Sequence, residues 1–430
     1  VKTLCAKAGR SLSVAISPGG GDKMRVYQAE LKRIVKTRSV QILFLAAILV
    51  SALLAYFPQS FVDYVYENRE GEEIKVSGRK AIEMIQKNQG DFQGAITEEK
   101  LSEAVEQYQD FASSYEGGLP DGIYDERVQA VDYYKYVSGI NGFLSRIREV
   151  YADPYTGIRP DLNELTVADA KGFYEQCRRH VRELLYLENG HTARGDSAVA
   201  LAERFYDHVK MPFVYYPGIR PDALEYVGIC TFLLVVIGTI LMAPVFASDR
   251  QTQADQILRC TRYGKRRLAW GRILAGLTVV TVMYVAGISL FLLLVNFPFG
   301  FQSLKTSLQI LWTAIAFLPL NIGQAELLIA AAGYVTLLST VCFTLFLSGR
   351  MKSVFASGVT AFLFLLIPIL LYMMLDGNLG NWICSILPSG GVGLSNSFTY
   401  AIIDTNFAFA GNQAIWTPFL MMGAAAAEIV

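Results

Sequence analysis

Five stretches of this chain, Val40 to Phe57, Tyr226 to Phe246, Ile273 to Val295, Leu327 to Leu347 and Val354 to Leu375, contain no Asp, Glu, Lys, Arg or His. A bilayer core of about 30 Å takes roughly 20 apolar residues in a helix, because lipid offers no partner to an unbonded backbone group. Each stretch therefore reads as a membrane-crossing helix. A sixth run, Ile415 to Ala427, reaches 13 residues before Glu428; it reads as a span cut short by the end of the chain, with an interfacial segment as the alternative. The first run begins at residue 40 without a small-residue cleavage site, which makes it an anchor and not a signal peptide. The expected fold is an α-helical polytopic membrane protein with about six transmembrane helices, the last truncated.

At 53% hydrophobic and 18% charged residues, the chain is too apolar for an ordinary soluble protein. Its 38 basic and 38 acidic residues cancel, so no polyelectrolyte role and no nucleic-acid partner is indicated. The balance hides a segregation. Residues 58–224 hold 29 of the acidic residues and 19 of the basic ones, a net charge of −10 against +10 for the remainder. Apolar residues recur at helical spacing within this segment: Phe173, Cys177, Val181, Leu184 and Leu185 share one face, and Thr166 with Asp169 forms a capping box expected to open that helix. Similar patterns cover 80–92, 98–115, 124–150 and 198–209, which predicts a mostly helical domain over 58–224 with a core of its own.

Nothing in that segment carries catalysis or metal by spacing. His180, His191 and His208 are 11 and 17 residues apart, and no Cys-x-x-Cys pair occurs among the six cysteines, so neither a metal site nor a disulfide framework is indicated. Asp121 with Asp125, and Asp153 with Asp161, lack the pattern of a calcium loop. No nucleophile–base constellation stands out, and the chain is not expected to be an enzyme.

Orientation follows from Lys and Arg in the connections. Arg25, Lys32, Arg33, Lys36 and Arg38 precede the first span, seven arginines and lysines from Arg250 to Arg272 join the second to the third, and Arg350 and Lys352 join the fourth to the fifth. These loops are expected in the cytoplasm. Opposite them, Asn296 to Glu326 has only Lys305, and Asp376 to Gln413 has neither Lys nor Arg. The N-terminus is thus expected to be cytoplasmic and residues 58–224 extracellular, in a plasma membrane. Residues 1–23 read as a possible non-native or disordered leader: the run Gly19-Gly20-Gly21-Asp22-Lys23-Met24 is what a ribosome-binding site translated in frame would give, with Met24 as the start.

Transport driven by an ion gradient usually places ionisable residues within the spans, and these apolar stretches have none. Selectivity-filter motifs and charged pore rings are absent too. There is no phosphate-binding loop: Gly264-Lys265 is followed by Arg266, with Arg259 where the first glycine belongs. Leu387-Pro388-Ser389-Gly390-Gly391 has only a chance likeness to an ATPase signature. If ATP drives this protein, another chain binds it.

Between the second and third spans, residues 247–272 run from an acidic residue, Asp249, through a short helical stretch with Ile257 and Leu258, to a Tyr263-Gly264-Lys265-Arg266 turn and Gly271-Arg272-Ile273-Leu274-Ala275. Ahead of the first span lies Tyr27-Gln28-Ala29-Glu30-Leu31-Lys32-Arg33-Ile34. In this order the segments resemble the permeases of the type-2 ABC exporter family. A large outer domain between the first two spans is similar to that family's sodium- and peptide-exporting members. The resemblance covers residue 24 to the end and implies the following organisation: elbow helix and first span over 24–57, outer domain over 58–224, and spans two to six over 225–430 with a coupling loop at 247–272. It implies a homodimer, or a heterodimer with a related permease, in the lipid bilayer, docked on a separate cytoplasmic ABC ATPase. ATP and Mg would sit on that ATPase, with no cofactor on this chain. Asp249, Thr252, Ile257, Leu258, Tyr263 and Gly264 would lie at the ATPase contact, and Tyr27, Glu30, Leu31 and Ile34 on the elbow helix. Thr231, Thr239, Ser357 and Thr360 would line the translocation path, although ordinary helix packing is the better account of each. Short re-entrant helices are expected within 382–409, from Trp382 to Pro388 and from Phe398 to Phe409. The family more often has Glu at the Asp249 position and Gly-Thr where this chain has Gln251-Thr252. Leu308 to Leu320 reads as an interfacial or re-entrant helix, and Pro368 as a kink in the fifth span. The alternative function is a membrane-anchored sensor or scaffold whose outer domain binds a ligand.

Overall fold

The apolar stretches fold as helices because a continuous run of Leu, Ile, Val, Ala and Phe satisfies its own backbone hydrogen bonds while offering side chains all round. In a computed structural model of the chain, residues 21–261, 265–375, 377–392 and 398–429 are described. Among them, five helices are long and apolar enough to cross a membrane, the mark of a multi-pass membrane protein. They span Arg38–Ser60, Pro221–Met242, Arg266–Phe299, Ile322–Arg350 and Val354–Met374. The second and fourth are the most buried, and the first and fifth expose most of their apolar surface.

Close approach of the central helices depends on small residues. At Gly333 of the fourth helix, a Cβ would stand 2.7 Å from Thr231 Cγ2 and 2.6 Å from the Tyr284 hydroxyl, so the second and third helices meet the fourth where it has no side chain. Gly287 does the same for the third helix, against Leu234 and Ser51.

The first four long helices begin ahead of their charge-free stretches. In the fourth this matters, because Glu326, one residue ahead of the stretch, is 2% exposed and accepts a 2.8 Å hydrogen bond from Asn296 of the third helix. The argument against charged groups among the spans therefore holds for the stretches and not for the helices that contain them.

The polar segment is mostly helical, with helices at Arg79–Asn88, Glu98–Ser113, Asn141–Val150, Phe173–Asn189 and Ala193–Tyr206 around a core that includes Leu101, Tyr108, Leu144, Phe173 and Phe213. It also carries a hairpin that the sequence did not signal, Asp63–Glu67 against Glu73–Ser77. The Thr166–Asp169 capping box forms, but it opens only Val167–Lys171. The chain breaks at Gly172, where a Cβ would stand 2.9 Å from the Tyr151 hydroxyl, and the helix with the Phe173 face starts afresh. The 124–150 pattern is likewise broken, into Ala130–Asp132, Tyr133–Val137 and Asn141–Val150.

Four expectations about the loops and the last helix are corrected. Within Leu308 to Leu320 only Leu308–Leu311 is helical, because the buried Gln309 amide donates to the carbonyls of Ala316 and Leu318 and folds the segment back on itself. Of Phe398 to Phe409 only Phe398–Ala401 is helical; Phe407–Ala410 pairs with Gln413–Trp416 as a hairpin, held by Asn381 and Trp382 side chains on the carbonyls of Phe407 and Phe409. The preceding helix covers Gly377–Ile386 and so starts ahead of Trp382. Ile415 and Trp416 belong to that hairpin, and the last helix, Thr417–Glu428, has 12 residues.

These loops clamp the polar segment. Arg146 pairs with Glu149 at 2.6 Å and donates to the Trp312 carbonyl, while Glu149 accepts from Thr313 Oγ1 at 2.5 Å and from Ala314 N at 3.2 Å. On the other loop, Ala414 N donates to Ser197 Oγ at 2.9 Å and Thr405 Oγ1 to Glu188 at 2.8 Å.

Candidate functional site at the basic end of the helices

Pro244 follows the second long helix closely and opens a short one, Pro244–Gln251, as a proline can at a helix start. The first backbone donors of a helix have no partner within it. Here Ser348 of the fourth long helix supplies one: its Oγ accepts from Phe246 N at 3.0 Å and Ala247 N at 2.9 Å, and donates to the Ala243 carbonyl at 2.7 Å. At the far end, Gln251 Oε1 accepts from Val354 N at 3.2 Å and Arg250 donates to the Arg350 carbonyl at 2.8 Å. Gln253 then adopts a left-handed backbone, φ 59°, and turns the chain into a second short helix, Ala254–Arg259.

Asp249 points from the first short helix toward Arg272, in the first two turns of the third long helix. Arg272 is 5% exposed; it donates to Asp249 and lies with Nε 3.4 Å from Glu30 Oε2. The same Glu30 oxygen accepts from Arg33 Nε at 2.8 Å, and the Phe246 ring lies 5.9 Å from the Arg272 guanidinium carbon. One buried cation thus ties together three segments remote in sequence.

Glu30 is carried by the amphipathic helix Gly21–Lys36, which packs along the third long helix. Tyr27, Glu30, Leu31 and Ile34 fall at i, i+3, i+4 and i+7 and form its packed face: Ile34 is 6% exposed, and the Tyr27 hydroxyl is 3.0 Å from Thr278 Oγ1. Val26 nests over Gly271, where a Cβ would stand only 3.0 Å from Val26 Cγ1.

The ATPase-contact residues read from the sequence divide by exposure. Asp249 is drawn into the ion cluster, Leu258 lines a cleft of about 350 Å³ with Arg250, Arg259, Lys265 and Arg272, and Ile257 is 74% exposed on the outer face of its short helix. Thr252 is exposed, its hydroxyl donating to the Ser248 carbonyl at 2.9 Å. Tyr263 and Gly264 lie outside the described residues, as do residues 1–20 of the leader.

Thr231 and Thr239 are buried on the second long helix, with hydroxyls donating to their own helix's Val227 and Val235 carbonyls. Ser357 is fully buried and Thr360 half-buried on the fifth. None of the four lines the basic cleft. The histidines are dispersed: His180 is buried in the polar segment, where burial pushes its pKa down, His191 stacks on Tyr186 at 4.3 Å, and His208 Nδ1 bonds the Arg204 carbonyl at 2.7 Å. Among the described residues no cluster of three or more His, Cys, Asp or Glu could hold a metal ion.

Sequence reasoning singled out Glu30 and Asp249, named Arg272 only as part of the basic loop and of the entry to the third span, and left Ser348 unremarked. Arg272 stood last in a basic run, and its signal was the apolar neighbourhood of Gly271 and Ile273, which marks a charge on its way into the helix bundle. Ser348 had no signal at all. Comparison of the chain with protein-family models, curated proteins and solved structures returns no match.

Proposed function

We propose that this chain is the membrane-spanning permease subunit of an ATP-binding-cassette exporter, acting with a separate ATPase. The observation that carries the reading is the Asp249–Arg272–Glu30 cluster, which joins the short helix Pro244–Gln251, and through it the more exposed Ala254–Arg259, to an amphipathic helix and to the base of a long apolar helix. A partner that grips the second short helix at Ile257 and Leu258 would, through Asp249 and Arg272, move the third long helix and the amphipathic helix as one body. ATP binding and hydrolysis on the partner would then shift the long helices between two arrangements, since a ligand moves such an equilibrium by its differential affinity for the two states. In this reading the basic end faces the cytoplasm of a plasma membrane and the polar segment faces outside.

The test is to purify the full chain from its native host in mild detergent, with and without Ile257→Asp and Leu258→Asp together. Co-purification of a nucleotide-hydrolysing chain, lost in the double variant while the variant keeps the wild-type elution volume and thermal stability, is expected. Absence of such a chain, or its retention by the double variant, refutes the reading and turns attention to a sensor or scaffold role for the polar segment.

A further inference from the structure

We propose that a groove between the amphipathic helix and the first and third long helices holds one anionic phospholipid, acyl chain inward and phosphate on the basic corner that joins the amphipathic helix to the first long helix. The groove has a volume of about 500 Å³, within the roughly 300–1,000 Å³ of ordinary ligand pockets. Its walls are Leu31 and Val35 from the amphipathic helix, Val40 and Phe44 from the first long helix, and Val279 and Val282 from the third.

Three observations say what fills it. The lining is overwhelmingly apolar, and the helix that supplies one wall is amphipathic with a charged opposite face, which is the pattern of a helix lying at a membrane surface. The corner is fixed before any ligand arrives: Thr37 Oγ1 donates to the Arg33 carbonyl at 2.9 Å, and Gln41 Nε2 to the Val35 carbonyl at 3.1 Å. Most telling is the charge. Lys32, Lys36 and Arg38 are exposed at this corner and make no ion pair among the described residues, while the one acid from Met24 to Arg38, Glu30, is already held by Arg33 and Arg272. Three free cations beside an apolar groove match a headgroup phosphate attached to an acyl chain. Because Lys and Arg near an anionic lipid surface are each attracted to it, a preference of at least about tenfold over a zwitterionic lipid is expected. The inference needs only the membrane setting and stands apart from the exporter reading.

The probe is dioleoyl phosphatidylglycerol against dioleoyl phosphatidylcholine, added to the delipidated full chain in detergent, with bound lipid counted by native mass spectrometry. The wild type is expected to retain one phosphatidylglycerol per chain, at least about tenfold over phosphatidylcholine. Val282→Trp fills the groove from its 53% exposed edge and should abolish that retention; should it fail to fold, Val35→Trp blocks the opposite wall. Lys32→Gln, Lys36→Gln and Arg38→Gln together should level the two lipids. Equal retention of both lipids by the wild type overturns the proposal. So does an equal loss in Leu45→Trp, which changes a 58% exposed residue outside the groove, because that outcome describes an unspecific lipid shell. Displacement of the lipid by soluble glycerol phosphate would remove the acyl chain's part.

Discussion

Replacing Arg272 by Met keeps most of the side chain's stem and removes its charge. The Asp249 carboxylate, with its side chain 16% exposed, would then stand beside the 11% exposed Glu30 without the cation between them. Removing one partner from a buried ion pair costs about 3–5 kcal/mol, most of it the charge left behind. Glu30 retains Arg33 at 2.7 Å, and that arginine's side chain is 45% exposed. Only Asp249 is truly orphaned, so the expected loss is about 3 kcal/mol, the low end of that range. Adding Asp249→Asn neutralises the orphan and should restore about half, roughly 1.5 kcal/mol; the coupling in the double-mutant cycle is that recovery plus the cost of Asp249→Asn alone. The measurement is unfolding of the full chain in dodecyl maltoside micelles with rising dodecyl sulfate. A loss below about 1 kcal/mol for Arg272→Met, or no recovery on adding Asp249→Asn, would refute the view that charge pairing, and not stem packing, holds this junction.

Gly333→Ala places a methyl group within 2.7 Å of Thr231 Cγ2 and should cost about 2 kcal/mol by overpacking, with part returned by Thr231→Ser in the same micelle titration. Glu149→Ala removes the acceptor of the Ala314 backbone N–H, so hydrogen exchange at Ala314 should accelerate at least tenfold while exchange in the long helices is unchanged. Arg127 holds the Asp125 carboxyl down at about 2. Since that folded value lies below the ordinary carboxylate value of about 3.9, the pair stabilises the fold above about pH 4 and the contribution fades as pH falls toward 2. The thermal-stability gap between wild type and Asp125→Asn should therefore be full at pH 7 and close as pH falls through that window; a gap unchanged at pH 2 counts against it.

Length, apolarity and charge segregation are local properties, and the sequence alone determined what depends on them. Charge-free runs of about 20 residues had to become helices, since unpaired backbone groups are too costly in an apolar setting. The spacing of Tyr27, Glu30, Leu31 and Ile34 likewise set one packed helix face, whatever that face was to meet. Where a tertiary contact outbids local preference, the reading failed. Gln309 folded back a segment that reads as a helix, and a hairpin replaced most of the helix expected from Phe398 to Phe409. The candidate site lay beyond any local pattern. Glu30, Asp249 and Arg272 become neighbours only when the amphipathic helix, the short helix after the second span and the base of the third long helix are brought together. A buried charge is tolerated only where its partner arrives, and which partner arrives is decided by the packing of helices far apart in the chain.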